Sequence, residues 1–329
     1  MRATARPAPC SRRRRQRGAA LLTAMIIVTL VATLASAMYW RQWRSVQIEI
    51  AERTRAQSAW ILSGALDWAR LILAEDARAG GADHLSEPWA TPLAEARLST
   101  FLAANESQVE DAPEAFLAGR ITDAQARFNL ANLVTEAGEL SVPDVAALQR
   151  LCEYVNVDPS VATVLTGALR LALPGRAASA AGEGADIPLL PPTVDELRWL
   201  GIDDEAAAKL APYVVLLPRR TPVNLNTAPR EVIAAVMEGL DIGSADRLIQ
   251  IRQRSPFRRL SDVNAHLPQG VVPDDSRVSV ATNFFEVRGR MRIEQRVVEE
   301  RSLVERRGRI VLTLRRERSS FTVGAGFTP

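Results

Sequence analysis

The side chains that carry most acid–base and metal chemistry are scarce in this sequence. His84 and His266 are its two histidines and lie far apart, and Cys10 and Cys152 are its two cysteines. No His/Cys spacing matches a zinc site, which draws three or four such ligands together. No Ser/His/Asp arrangement, GxSxG elbow, phosphate loop or dinucleotide fingerprint occurs. The neighbouring acids Asp203-Asp204 and Asp274-Asp275 could in principle bind a metal or act as acid and base. Aspartate more commonly starts helices and closes loops, and that is the role expected here. No enzymatic activity is expected.

Two asparagine-bearing motifs stand out instead. One is Gln125-Ala126-Arg127-Phe128-Asn129-Leu130-Ala131-Asn132-Leu133, the other Val223-Asn224-Leu225-Asn226-Thr227-Ala228 followed by Pro229. Asparagine amides bond to nearby backbone and so cap helices and close turns. Asn129, Asn132, Asn224 and Asn226 are therefore expected to be structural, with Thr227 capping a helix that carries Pro229 and Glu231 in its first turn. A rival reading treats residues 223–263 as a helix-hairpin-helix DNA-binding module, in which backbone N–H groups and basic side chains meet phosphate. Arg252, Arg254, Arg258 and Arg259 would supply the charge. Asp241 stands where such a hairpin wants its first glycine and would repel phosphate. Nucleic acid is thus an unfavoured partner, and a membrane-anchored DNA receptor of an uptake system is the alternative function.

The chain's basicity does not support DNA binding either. Its formal charge is +3 and its pI about 9.3. Seven arginines and no acid lie in residues 1–18, and without them 34 basic residues face 38 acidic ones. The excess belongs to a leader.

That leader runs into AALLTAMIIVTLVATLASAMYW, Ala19 to Trp40, which carries no charge. As a helix it is about 33 Å long, matching a hydrocarbon core of about 30 Å. Tyr39, Trp40 and Trp43 form an aromatic belt, and the preceding arginines orient the N-terminus to the cytoplasm. Three processing fates fit: a secretory signal cut after Ala35-Ser36-Ala37, an uncut anchor, or a pilin-type leader cut before the apolar run, between Gly18 and Ala19. In the last case Cys152 is the one cysteine left, read as a small buried hydrophobe rather than an interchain link.

Behind the anchor no proline interrupts the chain until Pro88, and Trp60, Ile61, Gly64, Leu66, Trp68, Leu71 and Ile72 give an apolar stripe at helical spacing. One helix over residues 19–80, transmembrane at 19–40, is predicted to end at Gly80-Gly81. Residues 105–111 suggest short loops and 119–123 a strand. The stretch 126–274 reads as mostly helical, broken by a loop at 174–192. From Phe285 onward alternation returns, predicting three antiparallel strands. Strands flanking a helical block suggest an insertion in an α+β domain.

Taken with the Arg17-Gly18-Ala19-Ala20-Leu21-Leu22 junction and Thr23 at the fifth position after it, the two asparagine motifs resemble those of the K-type minor pseudopilins of the type II secretion system, the GspK family. Ala126 departs from the glycine usual in that family's GRFNLNNL signature, and Thr23 replaces the glutamate of most pilins. The resemblance implies cleavage between Gly18 and Ala19 by a prepilin peptidase, N-methylation of Ala19, and Thr23 as a mark of a tip subunit. It also implies a pilin-like α+β fold (a leader at 1–18, a core at 81–125 and 275–329) with an inserted all-α domain at 126–274. Implied partners are the I-type and J-type minor pseudopilins and the other pseudopilins, in the inner membrane with a periplasmic body. No cofactor is implied with certainty, calcium in the head is raised without assignable ligands, and secretion of folded proteins is the implied function.

Overall fold

A computed structural model describes residues 16–98, 114–173, 188–293 and 295–322. The arginine-rich residues 1–15 with Cys10, the loops expected at 105–111 and most of the loop at 174–192 lie outside the described residues. The chain forms two compact units, residues 1–61 and 62–329.

Helix α1 (Gln16–Ala79) begins in the first unit. Its segment from Ala19 onward is long and apolar enough to cross a membrane. The four aliphatic hydroxyls of the uncharged stretch all bond back into the helix: Thr23 to the Ala19 carbonyl, Thr29 to Ile26, Thr33 to Leu30 and Ser36 to Ala32, at 2.8–2.9 Å. None of them needs water, which is what a lipid environment demands. Trp40 and Trp43 meet edge to face at its far end.

In the second unit the end of α1 lies against a sheet. Its buried positions are Leu62, Leu66, Ala69 and Leu73, spaced by four, three and four residues. The expected stripe is therefore rotated, with Trp68 and Leu71 exposed. Gly80 and Gly81, at φ +68° and +124°, end the helix as predicted.

The sheet and an inserted helical block follow in chain order. β1 (Leu93–Arg97) and β2 (Ala115–Asp123) come first, so the strand expected at 119–123 starts four residues earlier. Within the block lie β3 (Phe128–Asn129), α2 (Val142–Tyr154), α3 (Ser160–Ala172), α4 (Asp204–Leu210), β4 (Val214–Val215), β5 (Val223–Asn224), α5 (Arg230–Val236), α6 (Ile242–Arg254), α7 (Leu260–Asn264) and β6 (Val278–Ser279). β7 (Phe284–Ile293), β8 (Arg296–Arg307) and β9 (Ile310–Thr322) complete the sheet, whose order is β1-β2-β7-β8-β9. Every pairing in it is antiparallel.

The block is less helical than its periodicity suggests. Residues 134–140 form a turn closed by a Val134–Leu140 bridge, and Val194–Leu200 is 3₁₀ rather than α. Val214–Val215 is a short strand that pairs in parallel with Phe128–Asn129. Val278–Ser279 pairs in parallel with Val223–Asn224, so the block extends past 274. Its own apolar core gathers Leu133, Leu148, Leu165, Leu210, Ile233 and Leu248. A five-residue apolar patch, Ala124, Val215, Leu217, Phe284 and Leu303, joins block to sheet.

Gly119 and Gly289 face each other across β2 and β7, making a depression under α1. A Cβ on Gly289 would stand 3.1 Å from Leu62 Cδ2. Gly289→Ala is expected to cost about 1–3 kcal/mol by overpacking, read as a lowered urea midpoint.

Candidate functional site

Where the sheet gives way to the block, the two asparagine motifs meet, although some 90 residues separate them in sequence. Asn132 Nδ2 donates to the Thr221 carbonyl at 2.8 Å, and its Oδ1 accepts from the Thr221 N–H at 3.0 Å. Asn226 brackets Phe257 in the same way, at 2.9 and 3.0 Å. Each amide thus imitates a strand neighbour for one residue whose backbone would otherwise be buried unpaired. Asn129 donates to the Arg219 carbonyl and Thr221 Oγ1 and accepts from the Ala131 and Leu217 N–H groups. Asn224 accepts from the Asn226 N–H and donates to the Asp83 carbonyl and to Asp123 Oδ2. All four side chains are buried and engaged at both oxygen and nitrogen.

Asp123 was not singled out by sequence, yet it organises this junction. Its carboxylate accepts from the Gln125 N–H at 2.7 Å, from Asn224 Nδ2 and from Thr227 Oγ1 at 2.6 Å. Burial raises its pKa against those bonds. Thr227 is therefore spent on Asp123, and Pro229, not Thr227, is the N-cap of α5. Gln125 reaches both sides of the junction, donating to the Pro222 carbonyl and accepting from the Asn283 N–H.

Arg127 leaves the motif for the sheet. Its Nη2 lies 2.9 Å from Glu286 Oε2, while Arg288 and Arg301 approach Glu286 Oε1 at 2.7 and 3.6 Å. Burial works against the charge on Glu286, but Arg127 and Arg288 outweigh it and hold the carboxyl at about 2. Phe128 is buried in the block core, and its N–H donates to the Tyr213 carbonyl at 2.8 Å. Gly18, Ala19 and Thr23 lie in the opening turns of α1.

The segment 223–263 offers little to phosphate. Asp241 caps α6 through the Ser244 N–H at 2.6 Å. Arg252, read as part of an exposed cluster, is buried and donates to the Leu225 carbonyl. The N–H groups of Arg258 and Arg259 both donate to Asp262 Oδ2 at 3.0 Å. The chain's own carboxylates thus occupy the amides that a DNA backbone would need.

Calcium fares no better. Among the described residues, one acidic group could share an ion: Asp76, Asp83 and Glu87, with ligand oxygens within 4.8 Å of one another. Arg306 bridges Asp76 and Asp83. Asp83 Oδ2 accepts from the Thr282 N–H, and Glu87 Oε2 from the His84 N–H and Trp89 Nε1. Calcium takes six to eight oxygens, and a donor set already committed in this way does not fit it.

Two family models described as type II secretion system protein K match this chain, at residues 126–219 and 223–281. They cover both asparagine motifs except Gln125. The type II secretion system protein K of Pseudomonas aeruginosa is 29% identical over 92% of this chain and 90% of its own length. That of Klebsiella pneumoniae is 29% identical over 90% and 94%. In fold, the chain is similar to one in the GspK-GspI-GspJ complex of enterotoxigenic Escherichia coli, with a TM-score of 0.60 at 20% identity, over 82% of this chain and 98% of that one. With a long apolar N-terminal helix, an antiparallel sheet and an inserted helical block bound by two asparagine motifs, the chain is similar throughout to the type II secretion system protein K family.

Proposed function

We propose that this chain is the K-type minor pseudopilin of a type II secretion system and forms the tip of its pseudopilus with I-type and J-type partners. The observation that carries the reading is the pairing of a long apolar N-terminal helix with a large block inserted between β2 and β7. Such a block would obstruct a further subunit stacked above it, which suits a tip and limits filament growth. The role is one of assembly rather than catalysis, in support of the export of folded periplasmic proteins across the outer membrane.

In this reading a prepilin peptidase cuts between Gly18 and Ala19, and Ala19 is then methylated. The anchor stays in the inner membrane, N-terminus cytoplasmic, and the body is periplasmic. Thr23 fits such a subunit, because its hydroxyl is satisfied by the Ala19 carbonyl at 2.8 Å and brings no carboxylate into lipid, where an unpaired charge is costly.

Mass spectrometry of membrane-extracted protein is expected to find a methylated Ala19 at the N-terminus. Gly18→Val is expected to abolish cleavage and leave the 329-residue precursor; a chain starting at Met38 would instead indicate a secretory signal. Co-purification with I-type and J-type pseudopilins is expected from cells expressing all three. Salt-dependent DNA binding without such co-purification would overturn the assignment.

A further inference from the structure

The acidic group at the end of α1 ties together three parts of the molecule. Asp76 belongs to the last turns of α1, Asp83 to the loop that follows, and Arg306 to β8. The guanidinium of Arg306 reaches Asp76 with one nitrogen, and Asp83 Oδ1 and the Thr282 carbonyl with the other, the last at 2.8 Å. Its Cζ lies over the Phe285 ring, 4.9 Å from the centroid. Asp83 extends the network through its backbone. Its N–H donates to the Val280 carbonyl at 2.9 Å, and its carbonyl accepts from Asn224 at 3.1 Å. Side-chain exposure is 10% for Arg306, 12% for Asp76 and 3% for Asp83.

Geometrically, this is where a divalent ion would be sought. Three carboxylates converge from α1 and the loop after it, beside a polar cavity of about 190 Å³ lined by Gly80, Gly81, Thr282 and Asn283. The cation found among them is instead covalently part of the chain. An arginine fork suits two carboxylates at once, and the Phe285 ring beneath it adds a cation–π attraction.

We infer that Arg306 is the resident cation of this carboxylate group, joining α1, the sheet and the helical block, and that Asp76, Asp83 and Glu87 consequently take up no divalent metal while it is in place. Removing the guanidinium leaves Asp76 and Asp83 facing each other with Glu87 nearby. That vacated trio has the charge and oxygen ligands to accept a divalent cation in its place.

The test uses the full-length chain in detergent, with thermal unfolding followed in EDTA and in millimolar calcium. The wild type is expected to gain less Tm from calcium than Arg306→Met does. Arg306→Met is expected to lower the Tm in EDTA by about 10 °C, the consequence of unpairing buried carboxylates. Calcium should restore part of that loss, and the further change Asp83→Asn should abolish the restoration. Arg306→Lys, which can meet only one carboxylate well, is expected to fall between wild type and Arg306→Met. A wild-type Tm that rises with calcium as much as that of Arg306→Met overturns the inference, as does an unchanged Tm in EDTA for Arg306→Met. If Arg306→Met does not fold in EDTA, the same comparison between wild type and Arg306→Lys decides.

Discussion

Asn132→Asp and Asn226→Asp are each expected to lower the free energy of unfolding by about 3–5 kcal/mol, far more than their near-identical shapes suggest. In the wild type each amide gives an N–H to one carbonyl and takes an N–H from the same residue, Thr221 or Phe257. An ionised aspartate keeps the accepting half of the bracket. It sets a charged oxygen against the carbonyl where the NH₂ group stood, in a place that excludes water. Asn→Ala at these positions removes both halves and is expected to cost about 2–3 kcal/mol, since two buried backbone groups lose their partners. The aspartate variants have a further signature. A protonated carboxyl is again one donor and one acceptor, so their deficit relative to wild type should shrink as pH falls from about 7 to about 5. Urea unfolding across that range checks both magnitude and trend. An alanine variant, with nothing to protonate, should show no such recovery.

Glu286 is expected to give the second largest effect and the protein's main acid sensitivity. Its carboxyl is held at about 2 against an ordinary 4.5, a difference worth on the order of 3 kcal/mol. Because the folded-state pKa is depressed, that contribution is complete above about pH 4.5 and is lost as pH falls towards about 2. Asp123, whose pKa burial raises, acts in the opposite sense, favouring the fold most below the ordinary aspartate range. Glu286→Leu should remove the Glu286 contribution at neutral pH and leave Arg127, Arg288 and Arg301 without their shared anion. Arg127→Met in the Glu286→Leu background should then cost less than Arg127→Met alone, with a coupling of about 1–3 kcal/mol. Stability measured at pH 7 and pH 3 for the four members of that cycle gives the coupling and its pH dependence together. Additive losses at pH 7 would show that the pair is not coupled.

Much of the architecture was legible because it repeats locally. The uncharged run from Ala19 to Trp40 and the alternation from Phe285 onward are patterns of neighbours, and neighbours determine helix and strand. The asparagine motifs were legible as structural, but not their geometry. Asn132 brackets Thr221 and Asn226 brackets Phe257, partners 89 and 31 residues away, and no local spacing encodes such pairings. Arg252 was misread for a related reason. An arginine beside Arg254, Arg258 and Arg259 looks solvated until the fold carries a carbonyl, that of Leu225, to its buried head. β1 was missed because Pro88 and Pro92 mark its surroundings as loop, whereas β2 extends the sheet to include Leu93–Arg97. Thr227 has the residues of a helix start around it, yet the demand of buried Asp123 for donors took precedence.

The register of β2 on β7 has a kinetic consequence. Asp123 stands opposite Phe285, so joining these strands directly would close a loop of roughly 160 residues at a heavy entropic cost. The helical block removes most of that cost if it forms first. Its internal pairings, such as Asn132 with Thr221 across 89 residues, close shorter loops than that one. Once β5 has paired with β6 and Gln125 has met Asn283, the two ends of the block lie side by side and β2 meets β7 almost as the arms of a hairpin. The asparagine variants should consequently slow refolding as well as lower stability, whereas Gly289→Ala, which acts between α1 and the finished sheet, should mainly hasten unfolding.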